Sequence, residues 1–507
     1  MSDETQVMEC NSTTEELIGP PQRAWLVPAL ACGVATLLLL VMGSGTMGKL
    51  SVASALGGVA LAMLLLLSLR DALFIYFLYL LFDGAIKVNS NYHPILHVGQ
   101  DLLLILLMAR SCWEQGSGGF QKITRTPHFG FFLTFCAWIL LQYVNPFGLG
   151  LLPSIAGTKV YISMLCLFFL IFHHIPREDV SKLLRWILFL ATLESGLAVL
   201  EYLYGQSWML ALHPRYSEMI STQFGGIFYR PFGTTAIPGG PSVWAMLAAP
   251  IAGYFLEKPN SKKLDRMLAL LFIAVAVPTL IFCQVRVSML VASAGFLMTM
   301  LRPTRGIFLR VAGSAVLGAV LVYAVGAWFN SNTTENFRWI SGLSAEQREV
   351  LFQRTTSLSS GETYMSARGG SWTEAMALAD MTWLGIGLSR VGAASEPWSA
   401  RIQADPYFGS RWAFADNLFK AIFTELGVFG LGAWLLFIGA SLTTLFRGAF
   451  SFSRGQRGDP SVVWMCATFV TLLVICGIGN EGILYNPVSG IFWTLLALGM
   501  KEASYVV

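Results

Sequence analysis

Long apolar runs recur along most of the chain and constrain its fold more than any other feature. A helix that crosses a bilayer needs about 20 mainly apolar residues. Only 12% of the residues are charged, against roughly 25% in a soluble domain. We therefore predict an all-α polytopic membrane protein with about 14 transmembrane helices (about 12 to 14 fit the pattern). The predicted spans are 24–42, 50–69, 71–83, 95–111, 128–144, 157–175, 182–204, 236–256, 267–284, 286–301, 306–329, 415–446, 461–479 and 484–500.

Lysine and arginine in the short loops predict the orientation of these spans. If the spans simply alternate, the basic clusters all fall on one side, which we predict to be the cytoplasm with both termini. The clusters are Arg70; Lys122 and Arg125; Arg177, Lys182 and Arg185; Lys258, Lys262, Lys263 and Arg266; Arg302, Arg305 and Arg310; and Arg447, Arg454 and Arg457.

The same pattern divides the chain into five parts. Residues 1–23 form a polar cytoplasmic tail that lacks the basic region of a signal peptide, so we expect the first span to be retained. Residues 24–329 hold spans 1–11, and 330–414 form a long extracytoplasmic loop with short helices. Residues 415–500 hold spans 12–14, and 501–507 form a cytoplasmic tail. Loops as long as 330–414 are usually functional or disordered, and span 415–446 is long enough to be tilted or broken.

Charge and cysteine usage narrow the classes of function. The net charge of +4 is spread over the loops and forms no stripe, so no nucleic-acid partner is expected. No pair of the 8 cysteines has the spacing of metal ligands, and the long polar insertion contains none. We therefore expect no metal, cofactor or disulfide.

Two arginines lie where apolar segments meet the predicted outer surface. Arg286 is at the tip of a tight hairpin, between two spans. Arg230 precedes a stretch rich in proline and glycine that interrupts the helix before the eighth span. A guanidinium matches phosphate oxygens in a bidentate geometry, so both are candidate ligands for an anion. The alternatives are an Arg286 side chain that reaches lipid headgroups and a solvated Arg230 in a packing turn.

Further polar residues lie on the predicted outer side. Arg368 precedes two glycines and a predicted helix near Trp372, where amide groups can bind an anion; the alternative is a surface arginine. Asp416 begins the twelfth span and is either a general base or, as an N-cap or a favourable carboxylate, a residue that stabilises the helix N-terminus. His213 is a second candidate base.

Glu194 and Glu201 lie seven residues apart on the seventh span, so they share a helix face. A proton path is one interpretation of two buried acids; we favour pairing with arginine or contact with a sugar hydroxyl.

A motif at the start of the twelfth span resembles one in a known family. Asp416-Asn417 is followed by nine residues and then by Gly427-Val428-Phe429-Gly430. This is similar to the motif of the bacterial O-antigen ligase and O-antigen polymerase superfamily of membrane glycosyltransferases, which has His, then Asn, Ser or Gln, nine residues, and Gly-x-x-Gly. The position of the family histidine holds Asp416.

Other segments extend the resemblance over roughly residues 220–440. RPFGTTAIPGGPSVWAML carries Arg230, and QVRVSML carries Arg286 at a similar hairpin tip. ARGGSWTEAMALADMTWLGIGLSRVG is similar to the family's Arg, Trp-x-x-Ala and Gly-x-Gly region. Its matching residues are Arg368, Trp372, Ala375, Gly385 and Gly387.

The resemblance implies a GT-C-like architecture and a metal-independent glycosyl transfer at the outer face of the bacterial inner membrane. The donor would be an undecaprenyl-diphosphate-linked oligosaccharide, with Arg286, Arg230 and Arg368 on the diphosphate and Asp416 as the base. We expect Asn417, Glu201, Trp372 and His213 to contact the acceptor or glycan. Membrane lipid and a chain-length regulator or export proteins are the further expected partners.

Three functions compete for this chain. A polymerase transfers glycan to a hydroxyl of another lipid-linked repeat unit, and we prefer it. A ligase transfers the finished glycan to a lipid or protein acceptor. A transporter or flippase predicts charged or broken spans near the midplane in corresponding halves, and we find no such paired halves in the sequence.

Overall fold

The computed structural model describes residues 58, 66–89, 94–114, 116–212, 216–217, 230–258, 261–283, 285–301, 377–378, 382–392, 395–405, 417–451, 458–478 and 482–505. In these ranges the chain is helical, with no strand. The α-helices are α1 (Leu69–Asn89), α2 (Pro94–Glu114), α3 (Ser117–Thr124), α4 (Phe129–Leu141), α5 (Leu151–His174), α6 (Arg177–Tyr204), α7 (Gln206–Leu212), α8 (Pro241–Glu257), α9 (Lys263–Cys283), α10 (Arg286–Met300), α11 (Ser399–Gln403), α12 (Leu418–Phe450), α13 (Pro460–Cys476) and α14 (Val488–Ser504). Short 3-10 helices cover Gln142–Val144, Glu396–Trp398 and Gly482–Leu484.

Four of the described helices are long and apolar enough to cross a membrane: α5, α6, α9 and α12. The prediction of an all-α chain with membrane-type helices is confirmed for the described residues. Every predicted span from 71–83 onward falls on a described helix, except 306–329. The spans 24–42 and 306–329, most of 50–69, the N-terminal tail and most of the 330–414 loop lie outside the described residues, so the span count stays a prediction. Of the predicted C-terminal tail 501–507, residues 501–504 are still part of α14.

Ion pairs join the helix ends at one end of the bundle, which we call the basic end. Arg70 at the start of α1 pairs with Asp179 of α6 at 3.0 Å, and Arg185 of α6 pairs with Asp265 of α9. Lys258, just after α8, lies 3.2 Å from Asp459 before α13. These contacts bring together the loops that the alternation predicts on one side, and that side is the predicted cytoplasmic one.

Small residues allow α8 to pack at the centre of the bundle. Helix α8 contacts α6, α9, α10 and α13, and most of its side chains are buried. At Gly253 an added methyl group would lie 3.0 Å from the carbonyl oxygen of Phe296 in α10. Glycine and alanine permit this close approach, as is usual between membrane helices. A second packing centre is α14, which contacts α5, α12 and α13.

Helix α12 is broken, in agreement with the expectation for span 415–446. Its backbone leaves helical geometry at Gly427, where φ is 68° and ψ is −168°. The break divides α12 into a short N-terminal part and a long C-terminal part. The N-terminal part lies at the end of the bundle opposite the basic end, which we call the opposite end.

Candidate functional site

The segment 230–240 lies between α6 and α8 at the opposite end of the bundle. Two carboxylates of α6 fix its backbone. Glu201 is fully buried and accepts hydrogen bonds from the amides of Phe232 at 2.8 Å and Gly233 at 2.6 Å. Glu194, seven residues earlier and also fully buried, accepts from the Thr234 amide at 3.0 Å. The predicted shared face is confirmed, and the partners described for these two acids are backbone amides of one loop and the Thr234 hydroxyl.

Thr234 also interrupts the hydrogen-bond ladder of α1. Its hydroxyl lies 2.6 Å from the carbonyl oxygen of Leu81 and 2.6 Å from Glu194 Oε2. The amide of Ala85 donates to the carbonyl oxygen of Thr234 at 2.7 Å. In an uninterrupted helix Leu81 and Ala85 would bond to each other. The loop is therefore anchored in the backbone of α1, with its polar groups satisfied inside the protein as membrane depth requires.

This anchoring positions Arg230 beside the hairpin that carries Arg286. At Gly239, φ is 82°, a conformation that favours glycine. A methyl group there would lie 3.0 Å from Val285 Cγ2 and 3.7 Å from Arg230 Cδ. The stem of Arg230 therefore passes close to the turn between α9 and α10. Arg286 is the first residue of α10, and both arginines are half-buried.

The start of α12 belongs to the same end of the bundle. Asn417 is its N-cap, and its side-chain oxygen accepts from the amides of Phe419 at 2.9 Å and Lys420 at 3.1 Å. The amide of Leu418 donates to the carbonyl oxygen of Gly477 at 2.8 Å, just after α13. Helix α13 in turn packs against α10. Contacts through α13 therefore link the Asn417 end of α12 to the helix that begins at Arg286.

The Asn417 side chain retains a free donor in the described part of the chain. The residue is only 2% exposed, and its Nδ2 has no hydrogen-bond partner among the described residues. A buried donor without a partner is costly and marks a position where a ligand or water can bind. The capping role that the sequence left open for Asp416 belongs to Asn417, its neighbour.

The glycines of the Gly-x-Gly and Gly-x-x-Gly segments pack against each other. A methyl group at Gly385 would lie 2.5 Å from the amide nitrogen of Gly427, and one at Gly427 would overlap the carbonyl oxygen of Trp383. The amide of Val428 donates to that same oxygen at 3.0 Å, and Ile386 donates to the carbonyl oxygen of Thr424 at 2.8 Å. The loop 382–387 therefore runs along the break in α12 and pairs with its exposed backbone.

A third buried carboxylate, Glu425, fixes this loop. It accepts from the amides of Arg390 at 2.8 Å and Val391 at 3.0 Å, and from the Tyr161 hydroxyl at 2.7 Å. The buried Arg390 guanidinium pairs with Asp405 at 2.6 Å and donates to the carbonyl oxygen of Phe147. Sequence reasoning missed these roles of Glu425 and Arg390. The only signal was their apolar surroundings, where a charge needs a partner.

Four further predicted site residues lie outside the described part of the chain: Asp416, Arg368, Trp372 and His213. The structure thus brings together Arg230, the Arg286 turn and Glu201, and it connects them through α13 to Asn417. The described residues contain no group of three or more histidine, cysteine, aspartate or glutamate side chains able to hold a metal ion.

Comparison with known proteins adds no relative. No protein-family model matches the chain, and no curated protein matches it.

Proposed function

We propose that this chain is a membrane polysaccharide polymerase. It transfers a glycan from an undecaprenyl-diphosphate carrier to a hydroxyl of another lipid-linked repeat unit, at the outer face of the bacterial inner membrane. The observation that carries the proposal is that the Arg230 stem and the Arg286 turn both lie beside Gly239, in a loop fixed by Glu194 and Glu201. Two half-buried arginines beside one helix hairpin are suited to a diphosphate.

In the proposed reaction the acceptor hydroxyl attacks the anomeric carbon of the donor glycan. A new carbon–oxygen bond forms there, and the bond from that carbon to the diphosphate oxygen breaks. Arg230, Arg286 and Arg368 stabilise the negative charge that develops on the departing lipid diphosphate. Asp416 takes the proton of the acceptor hydroxyl. Fixed cations stabilise such charge best in a site that excludes water.

The described part of α12 supports a role for its N-terminal end in binding the acceptor. Asn417 offers an unused Nδ2 donor immediately after Asp416. Gly427 and Gly385 clamp the loop 382–387 against the same half of the helix. Glu425 and the Arg390–Asp405 pair hold the segment that follows this loop.

Chain growth from purified components tests the proposal. The full chain in nanodiscs receives lipid-diphosphate-linked repeat units, and products are separated by length. Arg286→Ala and Asp416→Asn should each slow growth by about 100-fold or more. Arg401→Ala is the matched control, because Arg401 is an exposed arginine whose guanidinium lies 5.7 Å from the Trp398 ring and which has no proposed role in the reaction. Native growth rates in both site variants, at normal expression, would refute the proposal.

The same assay separates polymerase from ligase and transporter. Repeat units alone should give longer chains if the chain is a polymerase. A ligase would require an added lipid or protein acceptor before any glycan is transferred. Movement of labelled repeat units across the bilayer without a covalent product would indicate a transporter instead.

A further inference from the structure

Four charged side chains outside the arginine site form a cluster inside the bundle. Asp83 and Lys87 lie on α1, Asp101 on α2 and Lys159 on α5. Lys87 Nζ is 2.6 Å from Asp83 Oδ2, and Lys159 Nζ is 3.6 Å from Asp101 Oδ2. Asp101 interacts electrostatically with the other three residues. We call these four residues the tetrad.

The tetrad was not predicted from the sequence, because the predicted third span ended at residue 83 and left Lys87 outside the helix. Helix α1 continues to Asn89, and Asp83 and Lys87 are one turn apart within it. Opposite charges at this spacing stabilise a helix. The charges lowered the local hydropathy without ending the helix.

The tetrad leaves hydrogen-bonding capacity unused. Asp83 is 6% exposed, and its Oδ1 has no partner among the described residues. Asp101 has a side-chain hydrogen bond with Ser163, and Lys159 Nζ lies 3.6 Å from its Oδ2. An ion pair whose only role is structural is expected to satisfy its remaining donors and acceptors, so the buried Asp83 oxygen points to a bound polar molecule.

The tetrad is also open on one side. The side chains of Lys159 and Asp101 are 22% and 15% exposed. By the helical rise, Asp101 lies about 10 Å and Lys159 about 12 Å from the helix ends at Pro94 and Leu151. Charges at that depth face water or protein because contact with lipid is costly. The exposed parts of these two side chains are therefore accessible to water or to a polar ligand.

The tetrad adjoins the loop that carries Arg230. Asp83 immediately precedes Gly84, and a methyl group at Gly84 would lie 2.5 Å from the carbonyl carbon of Thr235. Thr234 is bonded into α1 on the same turn. The tetrad and the arginine loop are thus neighbours across a single turn of α1.

The charge balance of the tetrad selects the ligand class. Two carboxylates and two ammonium groups have no net charge, whereas a diphosphate needs excess cations and a metal ion needs excess carboxylates. A neutral polyhydroxylated group both donates and accepts hydrogen bonds. We propose that Asp83, Lys87, Asp101 and Lys159 bind the hydroxyl groups of a neutral sugar residue of the lipid-linked glycan. This inference rests on the proposed function and adds a sugar subsite to it.

A double variant that replaces one ion pair of the tetrad by two uncharged residues tests the subsite and should keep the fold. Asp101→Leu with Lys159→Met removes both partners, and replacing an ion pair by apolar residues is often neutral or stabilising. The matched control is Arg185→Met with Asp265→Leu, which removes an ion pair at the basic end. Thermal unfolding of both double variants in nanodiscs checks that each remains folded.

Saturation-transfer NMR measures sugar binding directly on the full chain. The probes are p-nitrophenyl glycosides of glucose, galactose, rhamnose and N-acetylglucosamine, with p-nitrophenol as the control. At least one glycoside should give a signal with the native chain and with the control variant, and that signal should be lost in Asp101→Leu/Lys159→Met. No signal from any glycoside, or an equal signal in both double variants, would overturn the inference.

Kinetics distinguish this inference from the proposed function. In the tetrad variant the KM for the lipid-linked repeat unit should rise by about tenfold or more while kcat stays within about threefold. An unchanged KM in a chain that still polymerises would overturn the subsite alone. Absence of polymerisation by the native chain, with the sugar signal behaving as expected, would refute the polymerase and leave the subsite.

Discussion

Replacement of Gly427 by alanine should selectively separate the loop 382–387 from α12. At Gly427 φ is 68° and ψ is −168°, a region occupied almost only by glycine. A side chain held there costs about 1–3 kcal/mol in backbone strain. The added methyl group would also overlap the Trp383 carbonyl oxygen, which accepts from Val428 at 3.0 Å. Loss of that hydrogen bond adds about 0.5–1.5 kcal/mol.

The expected total is therefore about 2–4 kcal/mol of destabilisation. Gly432→Ala is the matched control, because Gly432 lies in the same helix with no atom within 4 Å of an added methyl group. It should be neutral or stabilising by up to about 1 kcal/mol. Thermal unfolding in nanodiscs, with limited proteolysis in 382–392, compares the two variants.

The same unfolding temperature and the same protease resistance in Gly427→Ala as in Gly432→Ala would contradict this prediction. That result would mean that the break in α12 is unstrained and that the loop does not depend on it. Faster cleavage of 382–392 at an unchanged global unfolding temperature would fit local release of the loop.

Substitutions at three residues test the buried polar contacts by thermal unfolding. Glu201→Ala leaves two buried amides without an acceptor and should cost about 2–4 kcal/mol, whereas Glu201→Gln retains one acceptor oxygen and should cost less. Thr234→Val removes the hydroxyl that bridges α1 and α6 and should cost about 1–3 kcal/mol, with Thr234→Ser close to native. Arg390→Met removes the guanidinium that pairs with Asp405 and should cost about 3–5 kcal/mol. A loss below about 0.5 kcal/mol in Glu201→Ala, Thr234→Val or Arg390→Met would contradict the contacts described.

Hydropathy was sufficient to predict the helices, because bilayer thickness and backbone satisfaction restrict a membrane chain to one kind of element. The boundaries were less exact where charge lies inside a helix. Predicted span 71–83 ended at Asp83, while α1 includes Lys87 and ends at Asn89. Two oppositely charged residues that pair within a helix, as Asp83 and Lys87 do, lower the local hydropathy of the sequence as much as a polar loop would.

The site was predicted in part. The spacing of Glu194 and Glu201 correctly predicted a common face, since it needs only helical periodicity. Their partners could not be predicted, because Phe232 and Gly233 are about 30 residues away and contribute backbone amides that no residue type reveals. The same holds for Glu425, which binds amides more than 30 residues earlier in the chain.

The glycine motifs illustrate the difference between a pattern and its cause. The Gly-x-Gly and Gly-x-x-Gly spacings marked Gly385 and Gly427 in the sequence. Only the structure shows why both must be glycine: their backbones are in direct contact at the break in α12. For Asp416, Arg368, Trp372 and His213 the predicted roles stay predictions.

A double-mutant cycle on Arg230 and Arg286 tests most directly whether the two arginines serve one diphosphate. The transfer rate is measured for Arg230→Ala, Arg286→Ala and the double variant, with Arg401→Ala as the control for an exposed arginine. If both bind the same leaving group, the losses should be non-additive, with a coupling energy of about 0.5–3 kcal/mol. Losses that simply add, or a native rate in either single variant, would contradict a shared diphosphate site.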